Sequence, residues 1–222
     1  MTSPYNFVVN YNKDDPNLLS QLCDFHGSDK GWVKSPKTLW PWYAHTFTDY
    51  VSRLFDHCRP HVLRVYENGI GTNTTTMQSS MGANGRPGAS LRVWRDYFPN
   101  ARIYGSDIDQ NILFEEHRIK TYFVDQRNPN AIQSMWQKIG EHDFDLMIDD
   151  GLHAFDAGRT LFENSISKIA STGIYIIEDV MPGDQTNYMR YFEKTDYRVD
   201  FVNLNRPYAP LENNSLVVVR KR

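Results

Sequence analysis

Cysteine is nearly missing from this sequence: Cys23 and Cys58 are its only thiols in 222 residues. They have neither CxxC spacing nor the number a disulfide framework needs, which fits a reducing cytoplasm. Long apolar runs are lacking too, and none approaches the ~18 residues of a membrane-spanning helix. Residues 1–15 show no basic-then-apolar signal pattern. There is no basic excess either: 24 Lys and Arg against 27 Asp and Glu leave a net charge of −3. That argues against a nucleic-acid partner, whose phosphates select a basic face. The expectation is a cytoplasmic protein that works on neither nucleic acid nor membrane.

What is present describes an ordinary globular chain, with 40% hydrophobic and 23% charged residues. Its length predicts a single domain over residues 1–222, with residues 1–60 as a loop-and-helix cover and 61–222 as the core. Residues 1–35 lack a clear period, but His26-Gly27-Ser28-Asp29-Lys30-Gly31-Trp32 stands out as a loop with paired charges. Pro36 then opens a helical pattern in which Trp40, Tyr43, Phe47, Val51, Leu54 and Cys58 share one face.

From residue 61 strands alternate with helices. The strands are Val62–Tyr66, Arg102–Ser106, Ile119–Val124, the run around Leu146-Met147-Ile148, and Ile174–Ile177. Helices are predicted over 89–98, 129–139, 154–169 and 185–194. Strands at 197–204 and 215–220 follow with no crossover between them, so that pair is antiparallel. The alternation predicts an α/β fold: a Rossmann-like doubly wound, mostly parallel seven-stranded sheet with an antiparallel C-terminal strand and an N-terminal helical extension.

Every parallel strand in this reading ends in an acid: Glu67, Asp107, Asp125, Asp149-Asp150 and Glu178-Asp179. Right-handed crossovers place those ends along one edge, where doubly wound sheets bind ligands. Singly, each acid reads equally well as a turn or helix-capping carboxylate. Together they describe an edge built for hydroxyls, an amine or a metal. The turn Glu67-x-Gly69-x-Gly71 lets backbone approach a ligand closely. It lacks the third glycine of GxGxxG and runs into a long linker, 72–88, which counts against a dinucleotide. That linker has the composition of a mobile lid. Asp107 could take ribose hydroxyls, and Asp125-Gln126 could meet an adenine.

These motifs resemble the class I S-adenosylmethionine-dependent methyltransferases, and more narrowly the metal-dependent macrolide-sugar O-methyltransferases of the mycinamicin and macrocin type. The matching residues are Glu67-x-Gly69-x-Gly71, the run Ser90–Pro99, Ile103–Ile108, Asp149-Asp150-Gly151-Leu152-His153 and Tyr175–Asp179, with Ser28-Asp29-Lys30-Gly31 a weaker match. The resemblance implies transfer of a methyl group from S-adenosylmethionine to a hydroxyl of a sugar, glycoside or similar polyhydroxylated small molecule, in natural-product or polysaccharide biosynthesis. It implies that Glu67, Gly69, Gly71, Asp107, Asp125, Gln126 and Asp149 hold that cofactor. It implies a Mg²⁺ or other divalent site at Asp150, Glu178 and Asp179, with His153 and Asp150 as the catalytic pair and His153 the base. A homo-oligomer is one assembly it allows. Three carboxylates on adjacent strands suit a hard cation. The alternatives are a metal-free small-molecule methyltransferase and a non-catalytic S-adenosylmethionine-binding module, with His153 then a helix-start histidine bonded to a neighbouring carboxylate.

Overall fold

A computed structural model of the chain describes residues 5–10, 17–32, 42–205 and 211–222. Its strands are β1 (Tyr5–Asn10), β2 (Arg64–Asn68), β3 (Arg102–Asp107), β4 (Glu115–Glu116), β5 (Ile119–Phe123), β6 (Phe144–Asp149), β7 (Ile169–Ile177), β8 (Arg198–Asn205) and β9 (Ser215–Arg220). Its α-helices are α1 (Leu18–His26), α2 (Phe47–Phe55), α3 (Ala89–Tyr97), α4 (Pro129–Ile139), α5 (Phe155–Ser165) and α6 (Pro182–Phe192). The strands form one sheet in the order β1-β8-β9-β7-β6-β2-β3-β5-β4. Strands β2, β3, β5, β6 and β7 run parallel, while β9 is antiparallel to both of its neighbours.

The seven expected strands form the body of this doubly wound sheet. Two short edge strands extend it: β1, parallel to β8, and the two-residue β4, antiparallel to β5. The order reverses between β2 and β6, so the crevice beyond their carboxyl ends is the topological switch point.

Leu146-Met147-Ile148 is buried on both faces, which is why it shows no alternation in polarity. Leu146 and Ile148 pack with Val65, Ile103, Trp94 and Phe47 on the face covered by α1, α2 and α3. Met147 packs with Tyr66, Trp136, Phe162 and Phe201 on the face covered by α4, α5 and α6. Helix α4 has the expected bounds because its ends are written locally. The Asn128 side chain caps the amides of Asn130 and Ala131, Pro129 occupies the first turn, and Gly140 closes the helix at φ 69°.

Of the helix expected from Pro36, the described residues show Phe47–Phe55 as helix and 42–46 as non-helical; Pro36 and Trp40 lie outside the described residues. Tertiary partners claim the backbone ahead of it. His45 N–H donates to the Asp29 carbonyl at 2.7 Å, and Thr46 N–H donates to Asn214 Oδ1 at 3.0 Å. Phe47 and Val51 keep the buried positions assigned to them, and Phe55 joins them, while Tyr43 is exposed. Helix α1 was not expected from its short, weakly periodic sequence. It packs on α2 and α3 through Leu19 and Cys23.

Phe144 is fully buried and meets the rings of Tyr66, Tyr104 and Trp136 at centroid distances of 6.3, 5.5 and 5.4 Å. Phe144→Ala should therefore lower unfolding free energy by about 3–5 kcal/mol in denaturant titration, the cost of a large ring lost from a packed core.

Candidate active site

A cavity of about 450 Å³ opens along the carboxyl edge of the sheet. Its floor is the turn after β2 and the ends of β3, β5 and β6. Its walls are the 72–88 linker on one side, and Asp29, Lys30, Trp42 and His45 on the other.

The glycine turn is shaped by close approach. Gly69 has φ +83°, and a Cβ there would lie 2.0 Å from the Asp150 carbonyl oxygen. A Cβ on Gly151 would lie 1.9 Å from Gln126 Oε1 and 2.3 Å from Asn68 Nδ2. The glycine of the Asp-Asp-Gly motif is thus required because the chain crosses an amide pair. Gln126 Oε1 accepts from Asn68 Nδ2 at 2.9 Å and from Leu152 N–H at 2.8 Å, and Gln126 Nε2 donates to Asp149 Oδ1 at 3.2 Å. Asp149 is buried behind this pair and does not border the main cavity; burial pushes its carboxyl up to about 6.

Asp107 borders the cavity. Its two oxygens accept the amides of Ile70 and Asp109, each at 2.9 Å, and burial raises its carboxyl above the usual range. Gly71, Asp125 and Gln126 also line the cavity; Asp125 is paired with Arg127 Nε at 3.0 Å, which lowers it. Glu67 lies outside the lining. It is fully buried, accepts from Trp94 Nε1 at 2.5 Å and faces Lys30, and burial raises its carboxyl.

The 72–88 linker folds back on the turn. Asp109 Oδ2 accepts the hydroxyls of Thr72 and Thr74 at 2.6 and 2.8 Å, and Met81 N–H donates to the Thr72 carbonyl at 2.8 Å. The Thr72 hydroxyl heads the bonds that hold Asp109 below the usual carboxylate range. The base of the expected lid is therefore fixed, and Met77, Gln78, Ser79, Ser80, Met81 and Arg86 line the cavity.

At the other end of the cavity, acids and cations alternate. Lys30 is buried, with Nζ 2.5 Å from Asp150 Oδ2, 3.2 Å from Glu67 Oε1 and bonded to Glu178 Oε2. Burial opposes its charge, yet the three carboxylates hold it well above the usual lysine range. Glu178, also buried, is pushed up to about 8 by burial despite Lys30. Asp179 Oδ1 lies 2.8 Å from His45 Nε2 and accepts from Asn213 Nδ2 at 2.6 Å. His153 Nε2 lies 3.2 Å from Asp150 Oδ1 and 3.5 Å from Asp179 Oδ2. Burial would raise Asp179, but His45 and His153 hold it well below the usual range. The same contacts outweigh desolvation of both imidazoles, raising each to about 9, with Asp179 the leading cause.

The structure thus brings Asp150, His153 and Asp179 to one end of the cavity, while Glu178 lies buried against Lys30 outside the cavity lining. Donor atoms of Asp150, His153 and Asp179 lie within 4.8 Å of one another. Sequence reasoning left out Lys30, His45 and Asn213 as site residues. Lys30 had a signal, a charge in a glycine-flanked loop matching the family motif. His45 had a fainter one, a polar residue in a supposedly apolar helix.

No protein-family model matches this sequence. The chain is 32% identical over 165 residues to the 8-demethyl-8-(2-methoxy-alpha-L-rhamnosyl)-tetracenomycin-C 3'-O-methyltransferase of Streptomyces olivaceus, a match covering 74% of this chain and 37% of that protein. It is 30% identical over 181 residues to the 8-demethyl-8-alpha-L-rhamnosyl tetracenomycin-C 2'-O-methyltransferase of the same organism, covering 82% and 41% respectively. The chain therefore matches well under half the length of these curated relatives. Among solved structures, the MycE methyltransferase from the mycinamycin biosynthetic pathway, in complex with Mg and SAH, aligns with a TM-score of 0.67 at 23% identity, covering 94% of this chain and 55% of that one. The fold is that of the Rossmann-like methyltransferases, and the chain resembles sugar O-methyltransferases of the macrolide and tetracenomycin type.

In protein free of metal, His45 and His153 should titrate near pH 9 in imidazole NMR spectra. Because folding raises both from 6.5, the stability they contribute is full below pH 6.5 and is lost as pH rises through about 9. Imidazole signals titrating near 6.5 would contradict the ion-pair geometry.

Proposed function

We propose that this protein transfers the methyl group of S-adenosylmethionine to a hydroxyl of a sugar, glycoside or similar polyhydroxylated small molecule, assisted by a divalent cation. One observation carries the reading: a single cavity joins the glycine turn and Asp107 to the Asp150–His153–Asp179 cluster. The relatives that this chain resembles methylate sugar hydroxyls by name, and MycE was solved with Mg and SAH.

Gly69 and Gly71 would let the cofactor's methionine end lie against backbone. Asp107, with one backbone donor on each oxygen, keeps lone pairs for ribose hydroxyls, and Asp125 and Gln126 would meet the adenine. Glu67 and Asp149 belong to the same proposed set from one layer behind, Asp149 by fixing Asn68 and Gln126.

The donor set fits a hard divalent cation: Asp150 and Asp179 face the cavity, and Glu178 Oε1 is buried without a hydrogen-bond partner. Held by Asp150, Glu178 and Asp179, such an ion would supply charge that acidifies an acceptor hydroxyl. His153 takes the acceptor's proton at Nε2 once that nitrogen is free of its own. The acceptor oxygen then gains the methyl group as the carbon–sulfur bond breaks, leaving S-adenosylhomocysteine. His153, paired to Asp150, is held in place for this step. Trp42, whose Nε1 donates to Asp29 at 2.8 Å, stands with Leu211 on the wall left for the acceptor.

Calorimetry with S-adenosylhomocysteine, with and without Mg²⁺, tests the reading directly. Asp107→Ala should weaken binding by about 1–3 kcal/mol through lost charged hydrogen bonds. EDTA should abolish methyl transfer to a rhamnoside acceptor while sparing cofactor binding, and His153→Ala should lose about 10²–10⁴-fold in rate with cofactor affinity intact. Full turnover in EDTA would favour the metal-free alternative, and cofactor binding without turnover on any hydroxylated acceptor would favour the binding module.

A further inference from the structure

Lys30 takes no part in the steps above, yet an amine is among the costliest groups to bury. Its three carboxylate partners come from the ends of three adjacent strands: Glu67 on β2, Asp150 after β6 and Glu178 after β7. Its loop is fastened to the cover, since the Lys30 carbonyl accepts Thr48 N–H at 3.2 Å and the neighbouring Asp29 carbonyl accepts His45 N–H. Two of its three partners, Asp150 and Glu178, are also proposed ligands of the divalent cation.

We propose that Lys30 is the built-in counter-cation of this site: a positioning residue that holds Asp150 and Glu178 together when no divalent ion is bound and sets how tightly one binds. The inference rests on the cation reading given above. Its physical content is competition. Without a positive partner, three carboxylates this close repel one another and are poorly solvated. With Lys30 present they are gathered, but part of their attraction for an incoming ion is already spent on the amine. A lysine with only a structural role would weaken the fold when removed, and saturating metal would raise the variant no more than it raises the wild type.

The test is Mn²⁺ titration by calorimetry, with thermal unfolding in EDTA and in saturating Mn²⁺, on the wild type and on Lys30→Met. Lys30→Met should bind Mn²⁺ about tenfold or more tightly than the wild type, because the competing charge is gone. It should melt below the wild type in EDTA and recover most of that loss in Mn²⁺, through ordinary mass action on the folded state. Equal or weaker Mn²⁺ binding, with a melting deficit that Mn²⁺ does not repair, would overturn the proposal. If Lys30→Met does not fold in EDTA, the double variant Lys30→Met/Glu178→Gln removes one carboxylate along with the amine and should fold better than the single variant. A double variant no more stable than the single one also overturns it. The wild-type arm separates the two claims. Mn²⁺ binding by the wild type with no change in Lys30→Met removes only the role of Lys30, whereas no binding by either protein removes the cation site as well.

Discussion

Negative charge gathered at the ends of neighbouring strands is the constraint around which this protein is arranged. Parallel strands lie ~4.8 Å apart, so acids that end β2, β6 and β7 are forced into one another's company. Buried carboxylates at that spacing are tolerable only beside positive charge. The ends of these three strands, at Glu67-Asn68, Asp149-Asp150 and Glu178-Asp179, offer none. The cations arrive from the N-terminal segment, as Lys30 and His45, and from the turn after β6, as His153. The segment that covers the sheet edge is thus held there by charge as well as by the apolar packing of Phe47 and Val51.

Behind that charged end, the cavity is organised by hydrogen bonding between strand ends and turns. Asn68, Gln126 and the backbone of Leu152 fasten the ends of β2, β5 and β6 to one another. Asp109 does the same for the linker, gripping Thr72 and Thr74. These contacts give the cavity a fixed floor and fasten the base of the linker, while Met77, Gln78 and Ser79 farther along contribute its wall.

Much of this was legible in sequence. The endings of β6 and β7 could be read because each coincides with the change from an apolar run to an acid, at Ile148-Asp149 and Ile177-Glu178. Helix α4 could be read to the residue because Asn128, Pro129 and Gly140 are local signals. Lys30 and His45 could not be assigned in the same way. Asp150 and Glu178 for Lys30, and Asp179 for His45, lie more than a hundred residues away, and no periodicity encodes a pairing across that distance. The alternation of strand faces explains another gap: Glu67 and Asn68 are neighbours in sequence, but only Asn68 reaches the cavity. Strand β1 escaped notice because six residues among Asn-rich neighbours carry little pattern, and α1 because its apolar face is short.

Two of the residues at the charged end stand in backbone conformations that side chains resist. His153 has φ +55° and Asp179 has φ +55°, both in the left-handed region where glycine or asparagine sits more comfortably. Such positions store roughly 1 kcal/mol or more of strain each, and they persist only because surrounding contacts hold them. Random drift toward a sturdier fold would therefore run downhill toward loss of these two side chains. Glycine or asparagine at either turn would relax the backbone and in the same stroke remove a side chain from the charged end, so the identity of these two residues couples local strain to the make-up of the cluster.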